Sequence, residues 1–339
     1  MDKLVLFNNS IKKQFLNKRA AETKFGESIT TINDVCNIYE TLNNLDVSYV
    51  IIGLPEDVGV FANHGKPGTR NAFHAAIKVL LNIQDNDYTF AKKVLILGHL
   101  DFDTELEKLS KLNSQKKKDI VKARKLTAEI DKHVTQLIYT IVKANKIPII
   151  IGGGHNNAYG NIKGTSLALN KPINVINFDA HTDFRKEEGR HSGNGFTYAF
   201  NEGFLNQYFI FGLHENYTSK DIFKALDSNK RINYNSFEAM QVRKELKFKT
   251  ELKKAQDFIC QDNFGIEIDC DAIEGISSSA MSPTGFSVTK ARRFVNEFAK
   301  NKNAKYIHIC EAAPTPKNSG QIGKLITSLI TDFIRGQEI

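Results

Sequence analysis

The sequence predicts an α/β fold in which a mostly parallel sheet is covered by helices on both faces. Three observations predict it. Short apolar runs of strand length, rich in β-branched and aromatic residues, recur along the chain. Amphipathic stretches of helical period separate them. The runs are apolar throughout and do not alternate with polar residues, the pattern of strands buried on both sides.

In chain order, VSYVIIG ends at Gly53, KVLILG at Gly98 and IPIIIGGG at Gly154. INVINFD ends at Asp179, YFIFG at Gly212, FGIEID at Asp269 and YIHICE at Glu311. Helical patterns occupy residues 69–83, about 115–145, and 320–335. In the longest of them Ile120, Ile130, Val134, Leu137, Ile138 and Ile141 share one stripe. No repeat, low-complexity linker or composition shift marks a boundary, so a single domain over residues 1–339 is expected. A hydrophobic fraction of 41% is enough for a large core.

The net charge of +8 is modest for this length and favours neither nucleic acid nor membrane as a partner. The basic segment SKLNSQKKKDIVKARK has no interleaved aromatic residues and reads as a solvated helix face. Cys36, Cys260, Cys270 and Cys310 lack CxxC spacing, so reduced, buried thiols are expected. The N-terminus has no apolar stretch of signal-peptide length, and no later run approaches transmembrane length. A cytoplasmic protein is expected.

The chemistry gathers at strand ends, where open parallel sheets bind their ligands. His155 follows the third run. Asp179, His181 and Asp183 follow the fourth, in the stretch NFDAHTDFR. Asp269 and Asp271 close the sixth, and Glu311 closes the seventh. In extended chain, residues i, i+2 and i+4 point the same way, so these aspartates and histidines converge. Taken singly, a strand-end aspartate is better explained as a turn or cap residue. The repetition is what calls for a cation, because buried charges need partners. Carboxylates with a few imidazoles suit Mn²⁺, Mg²⁺, Fe²⁺ or Zn²⁺, and the lack of Cys ligands argues against structural zinc. Two histidines and four aspartates exceed the needs of one open catalytic ion and suit a bridged pair.

GGGHNN, DAHTD and EIDCDAIEG resemble the three signature motifs of the ureohydrolase family, which comprises arginases, agmatinases and formimidoylglutamases. PEDVG…NHGKPGTRNAF and ICEAAPTPKN resemble further family segments, so the likeness spans about residues 51–334. The resemblance implies a three-layer α/β/α arginase-like fold with two Mn²⁺ per chain. One ion would be held by His155, Asp179, Asp183 and Asp269, and the other by His181, Asp179, Asp269 and Asp271. A bridging hydroxide would attack the planar carbon of a guanidino or formimino group. Asp183 would pass a proton to the leaving amine, and Glu311 would pair with the cationic end of the substrate. A homo-oligomer, trimer or hexamer, is implied as well. The sequence departs from the family in two places. GGGHNN lacks the usual acidic residue before the histidine, and Glu274-Gly275 replaces Asp-Pro, with Glu274 expected still to offer a carboxylate.

The segment FRKEEGRHSGNGF should line the distal end of the substrate. Ser192 and Asn194 resemble an arginase loop that binds an amino-acid carboxylate. Two positions on, arginases carry a shuttle histidine where this chain has Phe196. Arg185 resembles the continuation found in formimidoylglutamases. With Arg190 it could clamp carboxylates, which agmatine lacks. The bland alternative pairs both arginines with Glu187 and Glu188 on a solvated loop. His191 or His214 could stand in for the shuttle. The leading expectation is hydrolysis of N-formimidoyl-L-glutamate to L-glutamate and formamide. Arginine or another guanidino acid is the alternative substrate. A metal-binding pseudoenzyme is the non-enzymatic alternative. A two-metal phosphatase is disfavoured, because Glu311 would repel a phosphate.

Overall fold

The computed structural model describes residues 3–339. Nine strands form one sheet: β1 (Leu4–Leu6), β2 (Tyr49–Gly53), β3 (Val94–Leu100), β4 (Ile147–Ile151), β5 (Ile173–Phe178), β6 (Leu205–Leu213), β7 (Ile232–Ser236), β8 (Phe264–Asp269) and β9 (Ala304–Cys310). Their order is β1-β3-β2-β4-β9-β8-β5-β6-β7. Only β1 runs antiparallel, against β3. The seven apolar runs are β2 to β6, β8 and β9. The two edge strands were not foreseen. β1 is three residues long, and β7 reads INYNS, with polar residues at alternate positions, of which Asn235 is buried between the Gly212 N–H and Glu251.

Period-two alternation splits each buried strand between two cores. Ile149, Ile151, Ile176, Phe178, Ile266, Ile268, Ile307 and Ile309 join one. Ile150, Ile173, Val175, Tyr208, Ile210 and Tyr306 join the other. Helices Ala72–Leu80, Phe248–Ile259, Val288–Ala299 and Ser319–Glu338 cover the first face, and Lys117–Lys143 and Asn157–Leu169 cover the second. The result is a three-layer α/β/α arrangement. The stripe of Ile130, Val134, Leu137, Ile138 and Ile141 lies in the second core, as its spacing requires.

The topology places four strands side by side in the middle: β4, β9, β8 and β5. These carry the residues singled out at strand ends. β9, last in the sequence, pairs between β4 and β8. It thereby sets residue 311 beside residue 155.

One expectation is corrected here. Cys36 is exposed; the other three cysteines are buried, and all four are free. The lysines of the basic segment are exposed, as expected of a solvated helix face, and the partly solvated Arg124 donates to the carbonyl of Glu188 at 2.6 Å. Among the described residues, no helix is long and apolar enough to cross a membrane.

Candidate metal centre

His155 stands on a loop that two carboxylates hold. β4 runs into Gly152 and Gly153, at φ 87° and 71°, a region that favours glycine. The chain then enters helix Asn157–Leu169. Glu56, fully buried, accepts hydrogen bonds from the backbone N–H of Val58, Gly59 and Gly154 and from the side chains of Asn156 and Asn157. Glu311 Oε1 accepts from the His155 N–H at 2.6 Å. The PEDVG segment is thus the clamp on the histidine loop.

The other ligand-bearing strand ends share one local device. The His181 N–H donates to Asp179 Oδ1 at 2.6 Å, and the Asp271 N–H donates to Asp269 Oδ1 at 2.8 Å. Each aspartate turns its own strand end and keeps its second oxygen for other work. Asn177, on the same face of β5, holds Asp179 Oδ2 at 2.9 Å and is itself tied to the Tyr208 hydroxyl. Asp183 and Glu311 sit at φ 43° and 59°, in the left-handed region that non-glycine residues rarely adopt and that clusters at functional sites.

These turns bring the six residues together. His155 Nδ1 lies 3.3 Å from Asp179 Oδ2, 2.9 Å from Asp183 Oδ2 and 3.2 Å from Asp269 Oδ2. His181 Nδ1 lies 3.0 Å from Asp271 Oδ2 and 3.6 Å from Asp179 Oδ1. Two groups of donors result, each within 4.8 Å: His155, Asp179, Asp183 and Asp269, and Asp179, His181 and Asp271. Asp179 belongs to both. His155 Nδ1 and Asp271 Oδ1 are buried without a hydrogen-bond partner.

The electrostatics agree with a place for cations. Burial lifts Asp269 well above the usual carboxylate range, and the charges of Asp271 and Asp179 push it further. Burial opposes charging of His181, but Asp271 and Asp179 outweigh it and raise its pKa. Without cations, His155, His181 and Asp269 hold protons more readily than usual, while the two imidazoles keep Asp179 ionised. Divalent cations would replace those protons, and the imidazole and carboxylate oxygens would be free to ligate. The orphaned buried atoms and the oxygen-rich donor set fit a pair of such ions.

A cavity of about 430 Å³ opens over this cluster. Its inner wall carries Asp183, Asp269, Asp271 and Glu311; its outer wall carries Asn63, Arg185, Ser192, Gly193, Tyr217, Ser219 and Ile222. Glu311 Oε2 is buried there without a hydrogen bond, and burial pushes this carboxyl up to about 8. Arg185 is half exposed. It donates to Asn63 Oδ1 at 2.8 Å and pairs with Glu188 at 3.1 Å. Asn63 also donates to Ser192 Oγ at 3.1 Å.

The structure places several of the other sequence candidates away from the cavity. Arg190 does not line the cavity. It is buried, pairs with Asp131 at 2.8 Å, donates to Asn194 Oδ1 and the Asn156 carbonyl, and lies between the Tyr159 and Tyr198 rings. Asn194 turns inward too, with its amide on the carbonyls of Lys186 and Gly189. Phe196 is buried against the His155 ring at 5.1 Å and the Tyr208 ring at 4.5 Å. His191 and His214 do not line the cavity. His191 accepts from the Gly193 N–H, and burial with Arg185 and Arg124 nearby holds its pKa down to about 3. His214 stacks between Tyr217 and Phe237. Glu274 is exposed, away from the donors.

Sequence reading missed Asn63, Tyr217 and the buried Glu56, Glu267 and His308. Asn63 follows a short helix and Tyr217 ends the single 3₁₀ turn Glu215–Tyr217, segments too short for a period to mark them. A signal did exist for Glu267 and His308, each an ionisable residue flanked on both sides by isoleucine within a buried strand.

The arginase family model matches residues 47–335 of the chain. The formimidoylglutamase of Streptococcus gordonii is 29% identical over 196 residues, 56% of this chain and 53% of that protein. That of Hahella chejuensis is 27% identical over 187 residues, 52% of this chain and 50% of that protein. The chain spans about half the length of the curated relatives it matches. Among solved structures, the formimidoylglutamase of Bacillus subtilis superposes with a TM-score of 0.71 at 19% identity, covering 98% of this chain and 99% of that one. A Trypanosoma cruzi formiminoglutamase with manganese gives 0.71 at 18% identity, covering 93% and 98%. At these identities the structural likeness speaks to the fold.

Proposed function

The chain belongs to the arginase family, and on that premise we propose that it is a two-metal hydrolase of linear amidines that cleaves N-formimidoyl-L-glutamate to L-glutamate and formamide. One observation carries the choice of substrate. The outer wall of the cavity is lined by one cation, Arg185, and by no carboxylate; Glu188, which pairs with Arg185, lies outside the lining. All four lining carboxylates sit at the inner end, among the metal-binding candidates and Glu311. In formimidoylglutamate the α-nitrogen is part of the amidine, so the tail brings two carboxylates and no free ammonium. Arginine would bring an ammonium with no counter-charge on the outer wall, and agmatine would offer Arg185 nothing to bind. The formimidoylglutamase relatives support the same reading.

His155, Asp179, Asp183 and Asp269 would hold one divalent cation, Mn²⁺ by preference for oxygen-rich sites, and Asp179, Asp269, His181 and Asp271 the other. Such a pair supplies Lewis acidity and lowers the pKa of water. The remaining work falls to side chains. Glu311 Oε2 faces the cavity from the loop that holds His155, where it would pair with the amidinium and fix the planar carbon. Asp183 would carry the proton that the departing glutamate nitrogen needs as its C–N bond breaks. Arg185, steadied by Asn63, would take a substrate carboxylate.

Product analysis tests this. The Mn²⁺-loaded protein is incubated separately with formimidoylglutamate, arginine, agmatine and guanidinobutyrate, and formamide and urea are assayed. Formamide from the first substrate alone is the expected result. Urea from arginine or agmatine, without formamide, would overturn the assignment.

A further inference from the structure

Behind the candidate metal centre lies a second buried polar group that the proposed reaction does not use. Glu267 is fully buried on β8, two residues before Asp269 and on the same face. In the register with β9 it stands opposite His308, and Gly265 stands opposite Tyr306. Glu267 Oε1 accepts from the Tyr306 hydroxyl at 2.8 Å, and Oε2 lies 2.6 Å from His308 Nδ1. His308 Nε2 lies 3.1 Å from the Gly152 carbonyl. Both nitrogens of His308 therefore have a polar partner, which holds the ring in place. Gly265 makes room for this. A Cβ there would fall 2.2 Å from the Tyr306 ring, which crosses β8 at that point to reach the carboxylate.

His155 touches this group from the other side. Its Nδ1 faces Asp179, Asp183 and Asp269, while its Nε2 lies 3.5 Å from Glu267 Oε2 and has no hydrogen bond of its own. A neutral imidazole has one N–H, and whichever nitrogen binds a metal must give up its proton to the other. With Nδ1 turned to the aspartates, the proton belongs on Nε2, and Glu267 is the carboxylate on that side. A contraction of about half an ångström would bring the pair into hydrogen-bond range. Cys310 lies in the same cluster, but Glu267 and His308 already satisfy one another, so the group does not read as a third metal site.

We infer that Glu267, braced by Tyr306 and His308, is a positioning residue that fixes the ring and tautomer of His155 so that Nδ1 is presented to the metal. This rests on the reading of the cluster as a two-cation site. It predicts unequal effects on the two ions, since only one is held through His155.

The test is Mn²⁺ titration of the chelator-stripped full chain, followed by the electron paramagnetic resonance of free Mn²⁺. The wild type is expected to take two ions. Glu267→Ala should weaken one of them by about 10- to 100-fold, as loss of such a partner does, and leave the other near its wild-type affinity. Glu267→Gln, which keeps an acceptor oxygen, should recover part of that loss. Tyr306→Phe removes a single hydroxyl and should weaken the same ion by a smaller factor, which keeps the idea testable if Glu267→Ala does not fold. Folded variants that bind both ions at wild-type affinity, with only a lower melting temperature, would overturn the inference. A wild type that binds no Mn²⁺ would instead remove the two-cation reading beneath it.

Discussion

Arg190 and Arg185 lie five positions apart and do different jobs, because one meets Asp131 and the other meets the cavity. Arg190 is held in the interior by Asp131, Asn194 and the Asn156 carbonyl. Arg190→Ala would leave Asp131 buried and unpaired, at a cost of about 3–5 kcal/mol in stability by chemical denaturation. Arg185→Ala should instead raise KM for formimidoylglutamate with kcat little changed, the mark of lost uniform binding. An unchanged KM would return Arg185 to its pair with Glu188. On the two-cation reading, His155→Ala and Asp271→Ala should each abolish turnover and leave about one bound ion or fewer by metal analysis, since each would remove a proposed ligand of one cation. His191 supplies a pH dependence. Its pKa is held at about 3 against 6.5 for a free imidazole, so the unfolded chain binds the extra proton between those values. Stability is then fullest above pH 6.5 and declines as pH falls toward 3. His191→Asn should flatten that decline in melting temperature measured across the window.

At the scale of elements, the decisive one is the loop from β4 into helix Asn157–Leu169. Its conformation depends on Glu56, nearly a hundred residues earlier, which takes five hydrogen bonds. Glu56→Ala would strand those donors in the interior, each worth about 1–3 kcal/mol when unsatisfied. The expected outcome is a destabilised chain with weakened metal binding, and an unchanged melting temperature would count against the clamp. The strands that build the sheet interior were legible because burial on both faces removes polar residues from them. β1 and β7 were not, because β1 is only three residues long and β7 breaks its apolar run with Asn233 and Asn235. The helix stripe around Val134 was legible for the same local reason.

For the whole molecule, an acidic interior at the centre of the sheet links folding to cations. Mn²⁺ at about 100 times its dissociation constant should stabilise the protein by about 2.7 kcal/mol per site, and chelation should reverse the shift in melting temperature. A melting temperature indifferent to Mn²⁺ and chelator would contradict the two-cation reading. By itself the sequence determined the seven interior strands, three of the helices and the six ligand candidates, because strand-length apolar runs and amphipathic period are local properties of a chain. Only the tertiary structure decided that β9 lies between β4 and β8, that Glu311 meets the His155 backbone, that Arg190 turns inward to Asp131, and that Glu267 stands behind His155. Each of these rests on a partner brought from a distant segment. A charge goes inward only where such a partner waits, and no local period records where that will be.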